Sequence, residues 1–221
     1  MNRYEKNKKL LSESYNYDQS MEHDACGVGM IATTDGKKSR KIVDYGIEAL
    51  KAIWHRGAVD ADGKSGDGAG IQIEIATEFF KEKIIATGHK PDLTKRICVG
   101  MVFLPRTDYL EQEKCREIIE SVLLEENYSI YGWRQVPINS SVLGKTAEQS
   151  RPEIAQVMFK KNENLETNDL ERNLFETRKK IEKLARKNQL KNFYICSFSS
   201  RSIVYKGMFL AEMLAEFYPD P

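Results

Sequence analysis

Short apolar runs alternate with longer amphipathic stretches through most of the chain, and this alternation limits the folds that are open to it. The run 97–104 is almost wholly apolar, whereas 71–75 alternates isoleucine with polar residues. Both patterns are typical of β-strands, while the apolar stripe at helical spacing within 108–127 predicts an amphipathic helix. The mixture predicts one α+β domain in which helices cover sheets.

The same patterns predict the order of the elements. The predicted strands cover 26–33, 71–75, 97–104, 128–138, 153–159, 193–198 and 202–205, the last two forming a pair. The predicted helices cover 44–54, 79–86, 108–127, 169–187 and 208–217. Thr107 is expected to cap the helix that follows it. Residues 1–20 show no pattern and are expected to be loosely packed, and the polar stretch 139–150 is interpreted as a connection.

Composition describes an ordinary globular chain. With 221 residues, 41% of them apolar and 30% charged, the chain is long enough for one domain with a real core. Its net charge of +1 gives it no overall attraction to nucleic acid or anionic lipid. No apolar run approaches the ~20 residues of a membrane helix, and the start lacks the continuous apolar core of a secretory signal. We therefore predict a cytoplasmic protein.

The four cysteines show neither a metal-binding nor a disulfide pattern. Cys26, Cys98, Cys115 and Cys196 include no C-x-x-C pair and no zinc-type spacing. In a reducing compartment they are expected to be free thiols. Three of them lie in apolar strand-like runs or in a predicted helix, so we predict that Cys98, Cys115 and Cys196 are buried in the core. Cys26 is different, because it stands where a polar leader ends and a small apolar run begins.

Cleavage after Ala25 would give Cys26 a thiol and a free α-amino group on one residue. The amine has an ordinary pKa of about 7.7–8.0 and the thiol one of about 8.5, so near neutral pH the amine can accept the thiol proton. A terminal amine serves N-terminal threonine nucleophiles as a base in the same way. We therefore interpret 1–25 as a candidate propeptide and Cys26 as a candidate nucleophile. The alternative is an ordinary flexible start with an internal Cys26.

Small and polar residues fill the stretch 60–70, which reads Asp-Ala-Asp-Gly-Lys-Ser-Gly-Asp-Gly-Ala-Gly. Its alternate glycines suggest a phosphate-binding loop, but such loops lead from a strand into the N-terminus of a helix. This stretch leads into the predicted strand 71–75 instead, so nucleotide binding is disfavoured. We expect a tight loop whose backbone passes close to a substrate pocket, and a purely structural turn is the alternative.

Three motifs taken together resemble one known family. The large subunits of bacterial-type glutamate synthases begin with motifs similar to His23-Asp24-Ala25-Cys26-Gly27-Val28-Gly29, His55-Arg56-Gly57-Ala58 and Gly66-Asp67-Gly68-Ala69-Gly70. The resemblance continues to the stretch 199–207 and covers nearly the whole chain after the leader. It implies a partial class II glutamine amidotransferase domain over 26–221, with a four-layer αββα sandwich of the N-terminal nucleophile hydrolase type, incomplete at the C-terminus.

The resemblance also implies a reaction and two site residues. The domain would hydrolyse L-glutamine to glutamate and ammonia through a thioester on Cys26. Arg56 would lie against the α-carboxylate of glutamine, a task that suits a guanidinium because it binds carboxylates bidentately and stays charged. The alternative for Arg56 is an ion pair with Asp60 or Asp62.

Histidine is not required by this mechanism. His55 is of the right type for a general base, but the terminal amine makes that role redundant, so His55 is interpreted as structural. His23 lies on the leader and would be lost on processing. No ligand pattern accompanies it, so no metal site is predicted.

Other parts of the family's site have no counterpart in this sequence. In the resembling family an Asn-Gly pair supplies the oxyanion donors and a later aspartate holds the substrate's amino group, both beyond the position of Pro221. The chain contains no Asn-Gly pair. Loss of one oxyanion donor typically costs about 10²–10³ in turnover, so the chain alone is expected to be nearly inactive.

The resemblance implies further domains downstream that bind flavin mononucleotide (FMN) and an iron–sulfur cluster and that combine ammonia with 2-oxoglutarate. We assign no cofactor to this chain. The implied partners are L-glutamine, those synthase domains and a small glutamate synthase subunit, with no nucleic acid and no membrane. The alternative function is a catalytically silent fragment that acts as a binding or split-subunit module. Amidotransferases of purine, asparagine or amino-sugar synthesis are disfavoured, because their mature chains usually start directly after the initiator methionine.

Overall fold

The computed structural model describes residues 2–13, 27–53 and 57–220. Within these ranges the chain forms seven α-helices and six β-strands, with two short 3₁₀ turns. The helices are α1 (Arg3–Glu13), α2 (Arg40–Ala52), α3 (Thr77–Ala86), α4 (Tyr109–Glu125), α5 (Lys145–Ser150), α6 (Thr167–Lys187) and α7 (Leu214–Phe217). The strands are β1 (Ala69–Glu74), β2 (Cys98–Leu104), β3 (Tyr128–Gln135), β4 (Glu153–Lys161), β5 (Tyr194–Ser199) and β6 (Ser202–Gly207). No helix in the described part is long and apolar enough to cross a bilayer.

Four antiparallel strands form the main sheet in the order β3-β4-β2-β5. Its inner strands β2 and β4 are buried along nearly their whole length, which explains why the run 97–104 is continuously apolar and does not alternate. Gly100 on β2 has no room for a side chain, because a Cβ there would stand 2.7 Å from the ring of Phe198 on β5.

β1 and β6 form a second, two-stranded antiparallel sheet. Alternate residues of β2 supply the two hydrophobic clusters, as the period of a strand requires. Val99 and Met101 belong to the cluster shared with β6 of the small sheet, and Cys98 and Val102 to the cluster shared with α4 and α6. The layers are therefore α4 with α6, the main sheet, and the small sheet. This arrangement confirms the α+β class and is consistent with the predicted sandwich.

Most of the predicted elements are present, with ends that shift by a few residues. The strands predicted at 71–75, 97–104, 128–138 and 153–159 are β1 to β4, and the helices predicted at 79–86, 108–127 and 169–187 are α3, α4 and α6. Helix α2 starts four residues before the predicted start at 44, because the side chain of Ser39 accepts a hydrogen bond from the Lys41 backbone and caps it.

The predicted first strand over 26–33 is wrong for the residues that the structure describes. Residues 27–33 belong to no strand, and Val28 and Met30 are each 91% exposed. A strand persists only when its backbone groups pair with a neighbour, and Gly27 and Gly29 weaken the local preference further. An apolar run therefore does not make a strand where no described strand pairs with it.

The helix starts also differ from prediction. The start of the chain is helical, since the Asn2 side chain accepts a hydrogen bond from the Glu5 backbone (2.9 Å) at the beginning of α1. Helix α4 is capped by Asp108 and not by Thr107, because the Asp108 carboxylate accepts from the Glu111 backbone (2.9 Å). The predicted helix 208–217 consists of one 3₁₀ turn and α7, and the predicted connection 139–150 contains α5.

Strands β5 and β6 do not pair with each other as predicted. β5 pairs with β2 in the main sheet and β6 with β1 in the small sheet. Side chains join the two strands instead: the Ser197 hydroxyl accepts from the Val204 backbone N–H (3.1 Å), and the Cys196 thiol donates to the Val204 carbonyl (3.5 Å). The alternating pattern cannot distinguish a hairpin within one sheet from a chain that passes between two sheets.

Candidate active site

Cys26 and Arg56, the two residues predicted to carry the chemistry, lie outside the described residues, as do His23 and His55. Their roles therefore stay predictions. The residues that follow them in the sequence are described, and Gly27 and Gly57 both line one open cavity of about 1410 Å³. The structure thus brings the chain next to both predicted site residues to a common cavity.

Several elements build the walls of this cavity. They are β1 and β6 of the small sheet, the residues after β2, helix α5, and the segment 57–68, which we name the glycine loop. Gly68 and Gly70 line the cavity and have no side chain, so their backbone is exposed at its wall. The cavity is larger than the roughly 300–1,000 Å³ typical of small-ligand pockets, so an amino acid fits within part of it.

The glycine loop is a short hairpin. Val59 and Gly66 form an isolated antiparallel bridge, and the Asp60 backbone N–H donates to the Ser65 carbonyl (2.9 Å). The loop leads into β1, as predicted. Its position in the cavity wall agrees with the expectation that its backbone passes close to a pocket.

Asp62 fastens the glycine loop to α5. Its Oδ1 accepts from the backbone N–H groups of Lys64 (3.0 Å) and Ser65 (2.7 Å). Its Oδ2 accepts from the Ser65 hydroxyl (2.6 Å) and from the Thr146 backbone (3.1 Å). The Ser65 hydroxyl in turn accepts from the Ala147 backbone (3.0 Å). Together these hydrogen bonds hold the pKa of Asp62 well below its usual range, and the bond from the Ser65 hydroxyl has the largest effect.

Gly144 directly precedes α5 and packs against this cluster. A Cβ at Gly144 would collide with the Asp62 carboxylate and would stand 2.5 Å from the backbone nitrogen of Ser65. Only a residue without a side chain permits this approach. Sequence reasoning missed the contact, because Asp62 and Thr146 are 84 residues apart and no motif links them.

Two arginines hold a glutamate at another part of the wall. Arg106 Nη1 donates to Glu148 Oε1 (2.6 Å), and Arg151 Nε donates to Glu148 Oε2 (2.8 Å). Arg151, and after it Arg106, keep the pKa of Glu148 below its usual range. The sequence does not signal the contact of Arg106 with Glu148, because the two residues are 42 positions apart, whereas Arg151 follows Glu148 by three positions at the end of α5.

Cys98, Cys115 and Cys196 are free and buried, as predicted. Burial raises the pKa of Cys115 to about 12 and that of Cys196 to about 11, and it also raises the pKa of Cys98. The thiolate is the form that attacks alkylating reagents, so we expect iodoacetamide at pH 8 to leave all three unmodified in the folded protein. Mass spectrometry of digests, with a sample labelled in urea as the control, checks this. Modification of Cys98 in the folded protein would contradict it.

No group of three or more His, Cys, Asp or Glu side chains that could hold a metal ion occurs within the described ranges. The three described cysteines lie on β2, α4 and β5 and do not form the shared ligand set that an iron–sulfur cluster requires. The prediction that this chain carries no cofactor stays a prediction.

Two antiparallel sheets packed face to face, with a glycine-lined cavity at the small sheet, define an α+β domain suited to hold a small ligand. The family model described as "Glutamine amidotransferases class-II" matches residues 26–221. The chain therefore belongs to the class II glutamine amidotransferase family, which confirms the resemblance seen in its motifs.

Curated relatives agree with this assignment. The chain is 52% identical over 215 residues to the glutamate synthase [NADPH] large chain of Azospirillum brasilense, a match that covers 97% of this chain and 14% of the relative. It is 46% identical over 215 residues to the ferredoxin-dependent glutamate synthase of Pyropia yezoensis, a match that covers 96% of this chain and 14% of that relative. It is 40% identical over 200 residues to the ferredoxin-dependent glutamate synthase 2 of Synechocystis sp., and this match covers 90% of the chain and 12% of the relative. The chain thus spans 12–14% of the length of these relatives.

Proposed function

We propose that this chain forms the glutaminase site of a glutamate synthase large subunit, which releases ammonia from L-glutamine. One structural observation carries the proposal: Gly27 and Gly57, the residues directly after Cys26 and Arg56, line the same cavity. The match to the amidotransferase family, which begins at Cys26, supports it.

In this proposal the bond after Ala25 is cleaved and residues 1–25 are removed as a propeptide. The α-amino group of Cys26 accepts the thiol proton, and the thiolate sulfur attacks the side-chain carboxamide carbon of glutamine. The C–N bond then breaks, and the leaving nitrogen takes the proton from the α-ammonium group and departs as ammonia. Water attacks the thioester, glutamate leaves, and the thiol is restored.

Arg56 binds the α-carboxylate of glutamine in this proposal, because a guanidinium offers two parallel donors to it. A competing ion pair between Arg56 and Asp62 is disfavoured. Asp62 already accepts four hydrogen bonds from Lys64, Ser65 and Thr146, and a carboxylate offers about four acceptor sites. Asp60 stays open as the alternative partner of Arg56.

The names of the relatives, NADPH and ferredoxin-dependent glutamate synthases, support a wider reaction. We propose that the ammonia passes to 2-oxoglutarate in downstream synthase domains, which also hold FMN and the iron–sulfur cluster. The oxyanion donors and the aspartate that holds the substrate's amino group come from downstream sequence as well. A small subunit as a partner and a cytoplasmic location belong to the same proposal. No step of glutamine hydrolysis uses the flavin or the cluster.

An intact-mass measurement tests this proposal on protein expressed from its complete reading frame. We expect the mature protein to lack residues 1–25. A glutamine-like diazoketone is then expected to add its mass to Cys26 and to no other cysteine, because only Cys26 combines a reactive thiol with a site for the amino-acid end. Protein that releases ammonia while it retains residues 1–25 would contradict the proposal.

A catalytically silent binding or split-subunit module is the second candidate function. The exposure of Val28 and Met30, which are two positions apart in the sequence, favours it, since contiguous exposed apolar surface marks contact sites. Failure of both diazoketone labelling and ammonia release, together with self-association of the purified protein, would decide for this candidate.

A further inference from the structure

Helices α4 and α6 lie side by side on the main sheet, and their outer faces carry opposite charge. On α4 the exposed acidic residues are Glu113, Glu117 and Glu125, and Lys114 is the exposed basic residue. On α6 the exposed acidic residues are Asp169 and Glu176, and the exposed basic residues are Arg172, Lys179, Lys180, Lys183, Arg186 and Lys187. One layer of the domain therefore presents an acidic helix beside a basic helix.

Each of the two helices has a stripe of exposed residues, and the two stripes have the same spacing. The α4 stripe consists of Leu110, Glu113, Glu117, Ser121 and Leu124. The α6 stripe consists of Arg172, Phe175, Lys179, Lys183 and Arg186. Successive steps of three and four residues keep each stripe on one face of its helix. At 1.5 Å per residue each stripe is about 21 Å long, so the two stripes match in length as well.

The two helices run antiparallel within one copy. Strands β2 and β3 both pair antiparallel with β4, and β4 and β5 both pair antiparallel with β2. Helix α4 joins β2 to β3 and α6 joins β4 to β5, so each helix runs opposite to the strands that it joins. Lys161 agrees with this, because its Nζ donates to the Glu126 carbonyl after the end of α4 (2.6 Å) and to Asn173 Oδ1 in the first half of α6 (3.0 Å).

A two-fold axis that lies between the helices and parallel to them seats α4 of each copy on α6 of the other. Rotation about this axis leaves the direction of each helix unchanged, so the facing helices are again antiparallel. Antiparallel alignment of the stripes places Glu113 opposite Lys183 and Glu117 opposite Lys179, with Leu124 beside Phe175. The symmetry repeats each contact, so four pairs of opposite charge face each other.

The charges of the stripes are little used within one copy. Glu117, Lys183 and Arg186 take part in none of the ion pairs that the described parts of α4 and α6 form. Glu113 lies 3.7 Å from Arg116, and Lys179 shares the carboxylate of Glu182 with Arg178. Exposed ion pairs contribute little free energy each, so their complementarity selects the partner and the register more than it sets the affinity.

Apolar side chains and sufficient area accompany the charges. Leu110, Leu124 and Phe175 are 79%, 64% and 58% exposed, and a shallow groove of about 310 Å³ between Glu113 and Leu124 can receive a side chain of a facing helix. The helices have 17 and 21 residues. Their joint face therefore measures roughly 25 by 20 Å, and two copies bury on the order of 1,000 Å². That area meets the lower limit of a specific interface.

We propose that the outer face of α4 and α6 is the contact surface for a second copy of this chain, with α4 of each copy packed antiparallel on α6 of the other. The inference goes beyond the proposed function and does not depend on it, because no residue of either stripe lines the cavity.

Two charge reversals test the inference on protein expressed from its complete reading frame. Glu113→Lys with Glu117→Lys makes the facing positions of both helices basic, and Lys179→Glu with Lys183→Glu makes them acidic. For each variant alone, the dissociation constant of self-association, measured by sedimentation at about 50 mM NaCl, is expected to rise at least about 100-fold, because four pairs change from attraction to repulsion. An equimolar mixture of the two variants is expected to associate as the wild type does, since all its facing charges are again opposite.

Cross-linking identifies the contact itself. A carbodiimide joins a carboxylate directly to a lysine amine, and it is applied to a mixture of ¹⁴N-labelled and ¹⁵N-labelled wild-type protein. Peptides that link Glu117 to Lys179, or Glu113 to Lys183, are expected to contain both isotopes, because the two residues of each pair come from different copies. This measurement reports on the proposed contact even if other surfaces also join the subunits.

Glu78→Lys with Glu82→Lys on α3 is the matched control. These glutamates are exposed and four positions apart, as Glu113 and Glu117 are. Glu78 also pairs with a basic residue three positions later, as Glu113 does. The control changes the net charge by the same amount on a helix outside the proposed contact, so its dissociation constant is expected to stay within about twofold of the wild type.

Absence of mixed-isotope links in the wild type overturns the inference. An equal loss of association in the α3 control does so too, and so does a mixture of the two reversed variants that stays dissociated. Unchanged association in both reversals means that downstream sequence or another protein covers this face, which also overturns it. Circular dichroism checks that each variant folds, and if one does not, the isotope measurement on the wild type still decides.

Discussion

Replacement of Cys26 by serine is expected to lower the rate of ammonia release from glutamine by on the order of 10⁴-fold or more. A serine hydroxyl is not ionised near neutral pH, and it is a weaker nucleophile than a thiolate even when the terminal amine accepts its proton. The substitution replaces one sulfur atom by oxygen and leaves the binding groups for glutamine in place. The rate is measured as ammonia or glutamate released by the mature protein at pH 7.5.

Cys196→Ser is the control for this prediction. Cys196 is buried in β5, and its thiol donates to the Val204 carbonyl, a hydrogen bond that a serine hydroxyl can retain. Ammonia release is therefore expected to stay within a few-fold of the wild type, as for other variants away from the chemistry. A second variant, with one extra residue before Cys26, keeps the thiol and loses the free amine. Undiminished ammonia release by Cys26→Ser would contradict the role of the thiol, and undiminished release by the extended variant would contradict the role of the amine.

Replacement of Arg134 by methionine is expected to lower the free energy of unfolding by about 3–5 kcal/mol, because it leaves the carboxylate of Asp220 buried without a counter-charge. The side chains of Arg134 and Asp220 are only 11% and 9% exposed. Arg134 Nη2 donates to Asp220 Oδ1 (2.8 Å), and Nη1 lies 2.7 Å from Oδ2. Urea unfolding followed by fluorescence measures the change.

This ion pair is part of a polar chain through the core between the two sheets. Arg134 Nη1 also donates to Oε1 of the fully buried Gln156 (2.8 Å), whose Nε2 donates to the Tyr205 hydroxyl (3.3 Å). Gln156 lies on β4 of the main sheet and Tyr205 on β6 of the small sheet. Oδ2 of Asp220 accepts no hydrogen bond from the described residues, so its contact with Arg134 is ionic. Loss of Arg134 therefore removes a hydrogen-bond donor from two buried groups, the Asp220 carboxylate and the Gln156 side-chain oxygen.

Arg40→Met is the matched control. Arg40 pairs with Asp44 on the surface of α2 at 2.8 Å, with side chains 61% and 49% exposed. Its removal is expected to cost less than about 0.5 kcal/mol, because solvent screens an exposed pair. In the double variant of Arg134→Met with Asp220→Leu, much of the lost stability should return, since no buried charge is left unpaired. A loss below about 1 kcal/mol in Arg134→Met would show that solvent reaches the carboxylate.

The strands and helices that could be predicted are those in which one local pattern suffices. β2 is buried on both faces, so its run is apolar throughout, and α6 buries one stripe that includes Leu170, Leu174 and Ile181. The burial of the three core cysteines was predictable for the same reason, because each lies in such a local pattern. The segment 27–33 has the composition of a strand but no described neighbour to pair with, and β5 and β6 have the pattern of a hairpin but belong to two sheets.

The candidate site likewise contains residues that the sequence could predict and contacts that it could not. The sequence around Cys26 and Arg56 carries recognisable motifs, and these motifs are enough to identify the family. The cluster of Asp62 with Thr146, and that of Arg106 with Glu148, have no such signal. Each of these clusters joins residues that are distant in the chain, and each depends on how the loops between the strands meet.

By itself the sequence determined the family, the candidate nucleophile at Cys26 and the local identity of most elements, because side-chain periodicity and short motifs are properties of neighbouring residues. The tertiary structure alone decided which strands pair, which polar groups share the buried space between the sheets, and that Asp62 joins the glycine loop to α5. Those outcomes depend on long-range packing and on satisfying buried hydrogen-bonding groups, and residues far apart in the chain acquire these relations only when it folds.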